Sequence, residues 1–110
     1  MSARTILLRA ADLLAPPGRW MQGWFALDAR GLWTTNPRHA VSLSADMALA
    51  VAAVGQEQTA LDGAERALAR VVAVAGVESD EVQIQGWNDA KGRTQAEVVA
   101  ALRQAAEVAT

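Results

Sequence analysis

One histidine, no cysteine and no tyrosine stand in this 110-residue chain, so side chains able to act as nucleophile, soft metal ligand or proton shuttle are scarce. Without cysteine there is no disulfide framework, no thiolate nucleophile and no thiolate metal centre. His39 has no companion imidazole, and no H-E-x-x-H, G-x-S-x-G or glycine-rich phosphate loop is present. No metal and no cofactor is therefore expected. Glu78, Asp80 and Glu81 cluster, but they border a helix start, where acidic residues compensate the helix dipole more readily than they work as an acid–base pair. An enzymatic reading would have to rest on Asp89, Arg93 and His39.

What does concentrate is aromatic and cationic character. Trp20, Trp24, Phe25 and Trp33 fall within fourteen residues, with Arg19 and Arg30 alongside. Tryptophan and arginine dominate interface hot spots, so the segment reads as a surface for a protein partner or for self-association. The competing reading is structural: each ring buries roughly 150 to 250 Å² and would anchor a core short of bulky residues. Base stacking on the rings, with Arg19, Arg30 and Arg38 facing phosphates, is a third. A second concentration, Trp87-Asn88-Asp89-Ala90-Lys91-Gly92-Arg93-Thr94, precedes a helix N-terminus, where anions bind. Asn88 and Asp89 favour Asx turns, Lys91-Gly92 suits a bend of positive φ, and Trp87 can pin the loop, which together describe a structural connector. Asp89, Lys91 and Arg93 are the candidates there for a partner or anion site.

The elements that must carry these residues are mostly helical. Of the 52% of residues that are hydrophobic, 25 are alanine, the best helix former and a poor strand former. Ser2 caps a first helix running to about Ala15, stopped by Pro16-Pro17-Gly18. Aromatic residues and the Asp28–Gly31 turn chemistry predict a short hairpin with arms over 20–27 and 32–35. Asn36-Pro37 has the form of an N-cap followed by proline at the first helical position, and Ala40, Leu43, Met47, Val51 and Val54 step by three and four, so a helix is expected over 37–54. Thr59 is expected to cap a third helix to about Ala75, ended by Gly76, with Asp62 paired to Arg66. Residues 79–86 read as one or two helical turns, with a strand as the rival. Thr94-Gln95-Ala96-Glu97 is a capping box opening a last helix to about Ala109, with Arg103 and Glu107 paired on its wet side. The fold class is mainly α: a compact four-to-five-helix domain, spanning 1–110 as one unit, with a short Trp-rich β-hairpin between the first and second helices.

Charge separates the functional classes further. The net charge is -2, yet residues 1–38 carry five Arg against two Asp, and residues 39–110 carry five basic against ten acidic side chains. Such polarity favours partner or head-to-tail contacts, while the net charge speaks against a nucleic-acid binder. No apolar stretch approaches the roughly 20 residues of a membrane helix, and no signal-peptide pattern opens the chain, so the expected location is cytoplasmic and no membrane is involved.

The stretch from Trp87 through Arg93-Thr94-Gln95-Ala96-Glu97-Val98 to Arg103 resembles the closing segment of a small uncharacterised domain family of actinobacteria and their phages. The family's first helix, aromatic-Gly segment and D-x-x-G turn are echoed by Leu7 to Leu14, Trp20-Met21-Gln22-Gly23 and Asp28-Ala29-Arg30-Gly31. Relatives carry an aromatic-Cys-Ala-x-Gly-Ala pattern where this chain reads Val41-Ser42-Leu43-Ser44-Ala45-Asp46-Met47, so any role of that cysteine is absent here. The resemblance implies no activity. The expectation is a non-enzymatic protein-binding module, with Arg19, Trp20, Trp24, Arg30, Trp33, Asp89, Lys91 and Arg93 as contact candidates. A phage or prophage accessory protein that masks a host protein, for example as a defence-system inhibitor, fits the size and the resemblance. The alternatives are a small helical nucleic-acid binder and an enzyme of unknown reaction.

Overall fold

Ser2 opens the first helix as its chemistry dictates: the hydroxyl accepts the Thr5 amide at 3.3 Å, and α1 (Ala3–Leu14) follows. The computed structural model describes residues 2–23, 26–72 and 79–109. After α1 come β1 (Ala26–Leu27), β2 (Trp33–Thr34), α2 (Ala45–Ala52), α3 (Gln58–Val71), α4 (Asp80–Asn88) and α5 (Gln95–Val108). The expected mainly α architecture, with a hairpin between the first two helices, is the observed one.

Helix α1 is the hub. Its Ile6, Leu7, Ala10, Ala11 and Leu14 are fully enclosed; it packs on α5, α2 and α3, while α4 lies against α3 and α2. Thirteen of the 24 buried apolar residues described are alanines, so helix backbones approach with little more than methyl groups between them. None of those 24 is aromatic; Trp20 and Trp87 pack against the core from its margin. Helix α5 begins at the expected capping box, where Thr94 and Glu97 satisfy each other's backbone amides. One residue further on, the Gln95 amide reaches across to donate to the carbonyls of Leu14, Ala15 and Pro16, groups that the end of α1 leaves without helical partners.

The hairpin is shorter than its sequence suggested. The arms expected over 20–27 and 32–35 reduce, among the described residues, to an antiparallel pairing of Ala26 with Thr34 and Leu27 with Trp33. The turn itself forms as read: the Asp28 carboxylate accepts the amides of Arg30 and Leu32, and Gly31 takes φ 77°, where a side chain would be strained. Trp20 is not in the hairpin; it bridges Leu43 in parallel, while Leu27 bridges Ser42. Segments 33–34, 26–27, 41–43 and 19–21 thus lie side by side as a small irregular layer.

That layer overturns the helix expected over 37–54. Asn36 does accept a backbone amide, from Arg38 at 3.0 Å, but it closes a turn over 37–39 rather than opening a helix. His39 accordingly lies in that turn, not in the first turn of a helix. The chain then runs extended, with the Val41 amide donating to Leu27 O at 2.7 Å and the Leu43 amide to Arg19 O at 2.7 Å. Helix α2 starts only at Ala45, capped by the buried Ser44 hydroxyl. Pairing to two neighbouring segments satisfies residues 41–43 and leaves their amides unavailable to a helix.

Two smaller corrections concern α3 and α4. Helix α3 begins at Gln58, with Glu57 at the cap making no side-chain bond, so Thr59 is inside the helix instead of capping it. Its expected end at Ala75 and Gly76 lies outside the described residues, as do Trp24, Phe25 and Glu78. Asp62 accepts the Gln58 amide at 2.9 Å, and the ion pairs found among the described residues are Arg30–Asp28 and Arg93–Glu97 rather than Asp62–Arg66 or Arg103–Glu107. Helix α4 runs through Trp87 and Asn88, residues read from sequence as loop. Among the described residues no helix is long and apolar enough to cross a membrane.

Candidate functional site

Most of the chemistry-bearing residues singled out from the sequence converge where the layer meets the C-terminal end of α4. Asn88 is fully buried and its amide is shared four ways. Its Oδ1 accepts the Trp20 indole N–H at 2.7 Å and the Ala45 amide at 3.0 Å, so it helps cap α2; its Nδ2 donates to Met21 O at 3.2 Å and to Asp89 Oδ1 at 3.0 Å. Asp89 Oδ1 also accepts the Gly23 amide at 2.7 Å. Gln85, 1% exposed, donates to Gly23 O at 2.6 Å and to Asp89 Oδ2 at 2.9 Å. Gln22 adds bonds to the carbonyls of Asn88 and Ala90. Gly23 sits at φ 119° between these partners, a backbone state that side chains rarely adopt.

Asn88 and Asp89 therefore act over long range instead of forming local Asx turns. Gln85, Asn88 and Asp89 stand at i, i+3 and i+4, which places three polar side chains on one helix face. That spacing was the available signal for the site. Gln85 Oε1 is the buried side-chain polar atom that, among the described residues, accepts nothing.

Arg93 and Trp87 form a second contact on the same helix end. The guanidinium lies 4.2 Å above the indole centroid, donates to Trp87 O at 3.0 Å and pairs with Glu97 at 3.2 Å. Of the predicted contact residues, Trp20, Asp89 and Arg93 are thus held within the fold, and Arg19 and Lys91 are exposed. Trp33 is 73% exposed and its neighbour Leu32 53%, in the second arm of the hairpin; the exposed Arg30 side chain in the turn is loosely paired to Asp28 at 3.6 Å. Backbone donors at the turn hold the Asp28 carboxyl below its ordinary range, the Leu32 amide most strongly, with Arg30 adding to it. Asp89, Arg93 and His39 each have different surroundings: Asp89 is engaged by Gly23, Asn88 and Gln85, Arg93 by Trp87 and Glu97, and His39 is exposed in the 37–39 turn.

The opposite end of α4 is acidic. A cleft of about 320 Å³ between α3 and the start of α4 is lined by Asp62, Glu65, Asp80 and Glu81, with Arg66 as its cation. Glu65 also neighbours Asp46 of α2. Burial, then the neighbouring Glu81 charge, raises the Asp46 carboxyl to about 6; burial and then the Asp46 charge raise Glu65 to about 7. Two carboxyls this close hold a proton between them more easily than they hold two charges. Among the described residues no group of three or more His, Asp or Glu side chains is placed to hold a metal ion.

The chain belongs to a family described as "Family of unknown function (DUF6197)", whose model matches residues 1–108. Neither a curated protein nor a solved structure matches it.

Proposed function

We propose that this chain is a protein-binding module with no catalytic chemistry of its own, and that its contact surface is the hairpin edge formed by Arg30, Leu32 and Trp33. The observation that carries the reading is the exposure of Trp33 at 73% beside Leu32 at 53%, while Trp20 and Trp87 turn into the body of the fold. An exposed tryptophan next in sequence to an exposed leucine is the kind of surface that interface hot spots use. The layer is fastened to α4 through Asn88, Gln85 and Asp89, so the hairpin is presented on a rigid base rather than on a loose loop.

The test is capture from lysate by wild type and by Trp33→Ala, with folding of both followed by circular dichroism. A specific partner lost in the folded variant supports the reading; identical capture by both, or none by either, refutes it. The finer reading, a phage or prophage protein of actinobacteria that masks a host protein, is supported only by the sequence resemblance and the small size. It predicts that the captured protein belongs to the host.

A further inference from the structure

Charge on this molecule is sorted by position as well as by sequence. The layer carries exposed Arg19, Arg30 and Arg38 against one carboxylate, Asp28, which already serves the turn. It is fastened at the C-terminal end of α4. The cleft with Asp62, Glu65, Asp80 and Glu81 opens at the other end of the same helix, and against four carboxylates it has Arg66 alone. Nine helical residues, roughly 13 Å, separate the two ends of α4.

From this arrangement we infer that the partner of the hairpin edge includes a second copy of this chain, bound head to tail: Arg30, Leu32 and Trp33 of one copy lie on the α3–α4 cleft of the next. The inference rests on the protein-binding reading above and names its partner. Charge complementarity selects the mode. A symmetric pairing of two hairpins would set Arg19, Arg30 and Arg38 against their own counterparts, and like charges across an interface weaken it. Docked on the cleft, the same arginines meet a surplus of carboxylates, and the stems of Arg66 and Glu65 give the ring apolar surface to lie on. A head-to-tail contact is heterologous, so each added copy leaves one hairpin and one cleft open, and growth stops only where the rotation closes a ring.

Sedimentation velocity on the full chain, from about 10 µM to about 1 mM in low and moderate salt, tests this directly. The expected result is a sedimentation coefficient that climbs with concentration past the dimer and falls when salt is added. Trp33→Glu disables the hairpin and Glu81→Lys the cleft; both sites are exposed, circular dichroism checks that both variants fold, and each alone should associate at least about tenfold more weakly than wild type. Mixed one to one, they retain one intact hairpin and one intact cleft and should form a dimer that grows no further. A wild type that stays monomeric, a plateau at a dimer with no heterodimer from the mixed variants, or a monomer that instead binds a labelled oligonucleotide overturns the inference. A monomeric wild type whose lysate partner is lost in Trp33→Ala overturns it while leaving the protein-binding reading standing; loss of both overturns both.

Discussion

Replacing Asn88 by alanine should remove more stability than its size suggests, because one amide ties two distant segments of chain to the end of α4. The variant strands the Ala45 amide, on a fully buried residue at the start of α2, and the Trp20 indole N–H, which lies at the core margin. It also leaves Met21 O without its donor. An unsatisfied buried polar group costs about 1 to 3 kcal/mol. Taking the whole range for Ala45 N and the low end for the half-buried Trp20 and Met21 groups, since water can reach them, gives about 3 to 5 kcal/mol. That is a large part of the roughly 5 to 15 kcal/mol typical of a small domain. Urea unfolding followed by tryptophan fluorescence measures it, with Gln22→Ala as the comparison. Gln22 is exposed and its bonds to Asn88 O and Ala90 O are shared with solvent, so its loss should cost under about 1 kcal/mol. Asn88→Asp keeps the acceptor but turns a carboxylate toward Met21 O and Asp89, and should be no milder than alanine. If Asn88→Ala falls within experimental error of Gln22→Ala, the layer is held by packing and the network account is wrong.

The pH profile of stability has a sign that can be worked out. Asp46 and Glu65, raised to about 6 and about 7, stabilise the fold fully below the ordinary carboxylate range and lose that contribution as pH rises through 6 to 7. With Glu65 discounted for its partial exposure, the pair accounts for on the order of 2 kcal/mol between pH 5 and 8. Asp28 and Glu97 are held low by backbone amides and lose their contribution only as pH falls below about 4. Melting temperature should therefore peak near pH 4, and Glu65→Gln should flatten the alkaline side; a peak at pH 8 would contradict the assignment. Thr94→Ala breaks the capping box of α5 and should cost about 1 kcal/mol in the same urea assay. Trp33→Ala should abolish partner capture in a variant that still folds, whereas Trp87→Ala, which removes a ring packed on the core and under Arg93, should cost about 2 to 3 kcal/mol.

The parts of this fold legible in the sequence are those decided within one turn of chain. Ser2, the Thr94–Glu97 box and the Asp28–Gly31 turn complete their hydrogen bonds two to four residues away, so residue type and spacing suffice. Asn36-Pro37 misled for the same reason: a polar cap followed by proline serves a turn as well as a helix, and only the pairing of Val41 and Leu43 with Leu27 and Arg19 decides between them. Ala40 and Leu43 fit a helical step, but Val41 and Leu43 fit an alternating one equally well. At the site, the separation is wider still. Asn88 and Gln85 find their partners 43 to 68 residues away, and no local rule reaches that far. Whether Trp20 or Trp33 faces outward depended on which segment lay beside each strand, information that ring type does not carry.

The bond from Gln95 to the end of α1 has a consequence for synthesis. Helix α1 is made first, yet its enclosed face lies against α5, and its last carbonyls wait for a side chain some eighty residues downstream. At roughly 5 to 20 residues per second, α5 follows α1 by several seconds, so until then Ile6, Leu7 and Leu14 have only α2 and α3 to pack against. The nascent chain can settle its hairpin turn early, but the core around α1 closes only when α5 emerges. An early stop codon anywhere before α5 thus yields a product whose first helix has lost its principal neighbour, a substrate for chaperones and proteases.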